Sequence, residues 1–224
     1  MSASEETARE PQALASAVVL DAPPAEFRDV GEVLERARFD VRYHGTDNFV
    51  GARIDGYEAP RCFLTRPACE ALSDVARALE REGLSLLIYD CYRPARAVAH
   101  FARWAADAAD LRTRAEYYPD LRKADLFALG YIAARSGHSR GSTLDLTLAD
   151  LKTGAPLDMG TPFDLFSERS WPDSPDVTAE QKGNRDFLAD VMGRHDFDPF
   201  HMEWWHFTLR GEPFPDTYFD FPIR

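Results

Sequence analysis

The stretch Ser142-Thr143-Leu144-Asp145-Leu146-Thr147-Leu148 alternates strictly, with leucines on one side and Thr143, Asp145 and Thr147 on the other. A period of two is that of a half-buried β-strand. An Asp inside such a run is unfavourable by propensity, and a carboxylate buried there needs a partner. A metal ion or an arginine would supply one. Just upstream lies Ser136-Gly137-His138-Ser139-Arg140-Gly141, which sets an imidazole seven positions before the carboxylate. About sixty residues downstream, Glu203-Trp204-Trp205-His206 adds a second imidazole and a second carboxylate. Two His and one Asp leave a tetrahedral zinc with its fourth position open for water. Glu203, three residues before His206, is in reach to take a proton from that water. Together, His138, Asp145, His206 and Glu203 point to a hydrolase with one Zn2+ per chain.

Taken singly, these residues leave other readings open. His138 in its loop equally suits a hydrogen-bonded or solvated side chain. His206, between Trp205 and Phe207, equally suits a buried histidine bonded to backbone. Strand geometry puts Glu203 and His206 on opposite faces, because their separation is odd. They converge on one metal only if Glu203 lies in the turn leading into the strand. Asp198-Pro199-Phe200-His201-Met202 permits such a turn and offers His201 as a competing ligand. Arg93, at the exit of an apolar run, either lines a cleft or forms a surface salt bridge. His44, His100 and His195 lack ligand-like spacing, and the four Trp read as core.

Around this centre, positions 65–82 carry helix signals: Thr65 as N-cap, Pro67 in the first turn, and Leu72, Val75, Ala76 and Leu79 at helical spacing. Gly83 stops that helix. The apolar run 84–89 predicts a buried strand delivering Asp90-Cys91-Tyr92-Arg93-Pro94, and Pro94 opens a helix to about position 109. A short helix is predicted over 184–193, and an aromatic terminal strand over 204–209. Helices and strands occur in mixed order, without regular βαβ alternation. The fold class expected is α+β: one domain with a small, largely antiparallel sheet flanked by helices.

The chain has 224 residues, with 38 acidic against 26 basic side chains and a formal charge of -12. That argues against nucleic acid or an anionic membrane as partner, since both need a basic surface. Three cysteines, Cys62, Cys69 and Cys91, without CxxC pairing suggest free thiols in a reducing compartment. Residues 1–22, acidic and small at the start, read as a flexible or weakly docked extension before a domain at 23–224. Leu14 to Leu20 is apolar but short, and Glu5, Glu6 and Glu10 precede it where a secretory signal would carry basic residues. No run approaches the roughly eighteen apolar residues of a membrane span, so a cytoplasmic protein is expected. Homo-oligomerisation is left open.

The chain resembles the VanX-type zinc D-alanyl-D-alanine dipeptidases, grouped with the D-Ala-D-Ala carboxypeptidases and the hedgehog N-terminal fold. The likeness covers about 26–224. It rests on Asp47-Asn48-Phe49, Asp55-Gly56-Tyr57-Glu58, Tyr92-Arg93-Pro94, the stretch from Ser136 to Leu148, Met159-Gly160-Thr161-Pro162-Phe163-Asp164, Glu203-Trp204-Trp205-His206 and Tyr218-Phe219-Asp220-Phe221-Pro222. The resemblance implies His138, Asp145 and His206 as zinc ligands, Glu203 as general base and Arg93 as the cation stabilising the tetrahedral oxyanion. It further implies Asp164 as partner of the substrate's ammonium, helped by the backbone carbonyl of Tyr131, with Ser136 and Tyr43 positioning the other end of the dipeptide. Gly137 departs from the family, which often has a polar residue there. The implied reaction is hydrolysis of the free dipeptide D-Ala-D-Ala. A D,D-carboxypeptidase acting on longer muropeptides, and a zinc-stabilised binding module without catalysis, are the alternatives.

Overall fold

The computed structural model describes residues 17–224. In chain order its strands are β1 (Val18–Val19), β2 (Phe27–Asp29), β3 (Arg38–Phe39), β4 (Phe63–Thr65), β5 (Leu84–Asp90), β6 (Thr143–Asp150), β7 (Phe197–Phe200), β8 (Glu203–Leu209) and β9 (Phe219–Asp220). The helices are α1 (Arg66–Arg81), α2 (Ala95–Ala106), α3 (Arg114–Tyr117) and α4 (Ala179–Arg194). Five strands form the main sheet in the order β3-β5-β6-β8-β7. Only the β3–β5 pair in it is parallel. The expected α+β architecture with a largely antiparallel sheet is the one that forms.

β6 is the middle strand. Its Leu144, Leu146 and Leu148 join one core with Leu72, Val75 and Leu79 of α1 and Leu188 and Met192 of α4. The opposite face, Thr143, Asp145 and Thr147, is buried as well. The strand expected to be half-buried is therefore covered on both sides, because loops and not water lie over its polar face. Those loops create the site described below.

α1 fills the expected interval, and Gly83 ends it with a left-handed φ of 74°. Thr65 stands at the N-cap, yet its hydroxyl meets Ser142 Oγ at 2.7 Å instead of capping the helix. α2 stops earlier than expected. Lys123 Nζ donates to the carbonyls of Trp104 and Asp107 at 3.2 and 3.0 Å and closes its C-terminus. α4 starts before the predicted position 184, because Thr178 and Gln181 form a reciprocal capping box. From the N-terminal region, β1 pairs in parallel with β9; positions 1–16 of the expected extension lie outside the described residues. No helix among the described residues is long and apolar enough to cross a membrane.

Candidate active site

Cross-strand register assembles the centre. Asp145 of β6 pairs with His206 of β8 on one side and with Asp90 of β5 on the other. The three side chains thus stand in one row across three strands. Two irregularities make that row. On β5 the register shifts between Ile88 and Asp90, so Tyr89 is an extra residue and Asp90 is brought level with Asp145. Between β7 and β8, Pro199 pairs with Phe207 but the next residue, Phe200, pairs with Glu203. The bulged stretch breaks the alternation and sets Glu203 Oε2 3.4 Å from His206 Nδ1. Glu203 is therefore the first residue of the strand and not part of a preceding turn; a bulge removes the geometric conflict.

His138 arrives from a 3-10 turn, Gly137–Arg140. Ser136 Oγ accepts from the His138 amide at 3.3 Å, and Gly141 leaves the turn with φ of 84°. Any Cβ at Gly141 would lie 2.2 Å from the Phe27 ring, so only glycine fits. His138 Nδ1 lies 2.7 Å from the Cys91 carbonyl and must donate to it. That assigns the tautomer and leaves the Nε2 lone pair facing the site. Nε2 stands 3.3 Å from both Asp145 Oδ2 and His206 Nδ1. His206 Nδ1 in turn lies 3.1 Å from Asp145 Oδ1.

One ligand atom each from His138, Asp145 and His206 lies within 4.8 Å of the others, a grouping able to hold a metal ion. The chemistry of the set fits. Among the described residues, buried Asp145 Oδ1 has the His206 ring nitrogen nearby but accepts no well-aligned hydrogen bond, a costly state unless a cation serves it. Burial pushes the His138 pKa down, keeping a neutral imidazole. Burial by itself would raise Asp145, but His138 and His206 outweigh it and hold the carboxylate below its ordinary range. His206 is raised: Asp145 and Glu203 overcome the opposing effect of burial. Burial, with Asp145 nearby, pushes Glu203 up to about 7.

Arg93 is spread behind this centre. Its Nε donates to Asp90 Oδ2 at 2.9 Å, and Nη2 reaches Asp145 Oδ2 at 3.4 Å. The guanidinium lies over the Tyr43 ring at 5.0 Å. Asp90 also accepts from Tyr57 Oη at 2.6 Å. It was not among the residues singled out in the sequence. A carboxylate closing an apolar strand three residues before Arg93 was the available signal.

Asp164 stands apart from the row. It is 5 % exposed, takes a φ of 62°, and receives the Tyr43 hydroxyl on Oδ2 at 2.8 Å. Burial, reinforced by Asp145, raises its pKa well above the carboxylate range. Tyr43, expected at the other end of a dipeptide, is thus attached to Asp164, because its ring lies between Arg93 and that carboxylate. Ser136 and Tyr131 line the same cavity as His138, Asp145, Asp164, Glu203, His206 and Arg93, about 210 Å³ in volume. Phe49, Phe101, Ile132, Phe166 and Phe200 add apolar walls. His201 is exposed and His44 half-buried, and neither lines it. Gly137 does, and a Cβ there would meet Thr143 Oγ1 at 3.0 Å.

Residues 24–224 match the family described as D-ala-D-ala dipeptidase. The chain belongs to that family. The resemblance drawn from the motifs is borne out over nearly the same residues, and membership in the D-Ala-D-Ala dipeptidase family makes the chain a peptidase. Its relatives include a D-alanyl-D-alanine dipeptidase of Streptomyces coelicolor, 46% identical over 198 residues, which are 88% of this chain and 98% of the relative. The enzymes of that name from Enterococcus faecalis and Enterococcus faecium are 41% and 39% identical, with the same coverage. Among solved structures, the LD-carboxypeptidase LdcB is 15% identical with a TM-score of 0.43, over 86% of this chain and 71% of its own. The vancomycin-resistance D,D-pentapeptidase VanY, in complex with Zn(II), is 15% identical with a TM-score of 0.39, over 70% of this chain and 78% of its own.

Proposed function

We propose that the chain is a zinc dipeptidase that cleaves free D-Ala-D-Ala into two D-alanines, with one zinc per chain on His138, Asp145 and His206. The observation that carries this reading is the charge imbalance of one small cavity. Asp145, Asp164 and Glu203 line it with Asp90 behind them, and Arg93 is the cation among them. A divalent ion and one substrate ammonium would complete the match, and buried charges demand such partners.

Bound zinc supplies Lewis acidity, lowering the pKa of a water towards ~7 and polarising the scissile carbonyl. Glu203 accepts the attacking water's proton and returns it to the departing amine; its position beside His206 suits the first step, and burial, which favours its protonated form, suits holding the proton until it is returned. Arg93, anchored by Asp90, donates to the carbonyl oxygen as negative charge develops there. Asp164, oriented by the Tyr43 hydroxyl, pairs with the substrate's ammonium. The Tyr131 carbonyl assists it, and Ser136, already capping the His138 turn, borders the remainder of the dipeptide. An acylated or extended N-terminus would leave Asp164 buried without a partner, which disfavours longer peptides. We place the reaction in the cytoplasm, consistent with three buried free thiols.

The test is release of D-Ala from D-Ala-D-Ala by the zinc-loaded protein, beside the chelated protein and an N-acetylated dipeptide. Zinc-dependent turnover of the free dipeptide alone is expected. Equal turnover of the blocked substrate would replace this reading by a carboxypeptidase. Full zinc occupancy without turnover of either would leave a binding module.

A further inference from the structure

Segment 158–171 presents Asp164 with no regular structure beyond a 3-10 turn at Glu168–Ser170. A non-glycine residue in the left-handed region costs free energy, and the surroundings must hold it there. Arg185 of α4 is placed to do so. It is 2 % exposed, and its Nε donates to the Met159 carbonyl at 2.7 Å, Nη1 to that of Trp171 at 2.7 Å and Nη2 to that of Arg169 at 3.0 Å. These carbonyls bracket Asp164 on both sides. Buried arginines ordinarily pair with carboxylates; this one makes no carboxylate pair among the described residues and spends its whole fork on backbone. Burial, with Arg169 nearby, brings its pKa down to about 10, still cationic at neutral pH. α4 adds a bond from Asn184 Nδ2 to the Asp158 carbonyl at 2.9 Å. Inside the segment, Ser170 Oγ donates to the Leu165 carbonyl at 2.7 Å, one residue beyond Asp164.

We propose that Arg185 is a positioning residue for specificity: by clamping the carbonyls of Met159, Arg169 and Trp171, it sets where the Asp164 carboxylate meets the substrate's N-terminus. The inference rests on the reading of Asp164 as the ammonium's partner. Lysine cannot replace the planar fork, since a single ammonium does not span three diverging carbonyls. Arg185 touches no reacting atom, so its loss acts through the geometry of Asp164.

A double-mutant cycle on the zinc-loaded enzyme tests this. Arg185→Lys is expected to raise KM for D-Ala-D-Ala roughly 10- to 100-fold with kcat far less affected, the scale of a displaced binding group. In an Asp164→Asn background the same substitution should change kcat/KM by no more than about twofold, because the coupled partner is already gone. Equal losses in both backgrounds, or a loss confined to kcat, would overturn the inference. If Arg185→Lys yields no folded protein, Arg185→Gln, whose planar amide keeps a donor for these carbonyls, carries the same cycle, with a KM rise that also disappears beside Asp164→Asn; persistence of that rise overturns the inference too. Asp164→Asn by itself separates the two readings. If it leaves KM for the free dipeptide unchanged, the ammonium reading falls and takes this one with it. If KM rises but the Arg185 loss is additive, only the role of Arg185 falls.

Discussion

The two ends of the cavity are built by different means. At one end Asp90, Asp145 and His206 share a row across β5, β6 and β8, and ladder hydrogen bonds of the sheet set their spacing. His138 joins them from a turn locked by Ser136, Gly141 and the Cys91 carbonyl. At the other end Asp164 sits on irregular backbone, held by Tyr43 and by a segment that α4 grips through Arg185. Charges at the sheet end face one another within about 3.5 Å. Among the described residues, Asp164 has a hydroxyl partner and no ion pair. The contrast teaches a division of labour. On the proposed function, a permanent ion and its chemistry would sit on rigid strands, whereas a carboxylate left uncompensated would select a substrate that brings its own charge.

The sharpest break in this comparison is expected at the sheet end. Glu203→Ala should lower kcat by about 10²–10⁴-fold while zinc content, measured on the purified variant, stays at one per chain. On the proposed role of Arg93, Arg93→Lys should lower kcat by about 10²–10³-fold, since one point charge replaces a fork that holds Asp90 and would also meet the oxyanion. KM that rises while kcat holds would move Arg93 from the chemistry to binding.

The Asp164 end should respond in the opposite sense for stability. Burial raises the Asp164 pKa, so the folded free enzyme holds that proton more tightly than the unfolded chain does. The stability this contributes is fully present below the unfolded carboxylate pKa of about 3.9 and is lost as pH rises through the higher folded value. Asp164→Asn should therefore raise the substrate-free Tm relative to the parent at pH 7, with the gain vanishing near pH 4. Its KM for the dipeptide should increase at the same time. A lower Tm across that whole range would contradict the unpaired-carboxylate picture.

The smallest effect concerns the support of that end. Thr178→Ala opens the capping box of α4, where Thr178 Oγ1 accepts from the Gln181 amide at 3.2 Å and Gln181 Oε1 from the Thr178 amide at 2.8 Å. Chemical denaturation should show a loss of about 1 kcal/mol, with kcat unchanged. A matching drop in kcat would mean that the two ends are mechanically linked through α4.

Much of this was legible in the chain, for identifiable reasons. Alternation in Ser142–Leu148 and the stop at Gly83 report local backbone periods, which short windows of sequence carry directly. The candidate ligand set was legible because a carboxylate amid leucines is anomalous. Other features were not. The capping box at Thr178 is masked in the sequence because Gly183 and a polar first turn dilute the helical pattern of α4. Asp90 looked like an ordinary strand end, since the extra residue at Tyr89 that aligns it with Asp145 depends on the neighbouring strand.

The sequence by itself determined the α+β class, the main elements and the identity of the chemical groups, since period, capping and residue type are local properties. Only the tertiary structure decided that a bulge returns Glu203 to the side of His206, and that Tyr43 serves Asp164. It alone decided that Arg185 spends its charge on three carbonyls. Each of these depends on which backbone atoms from distant parts of the chain come to lie beside one another, and no period along the chain encodes that.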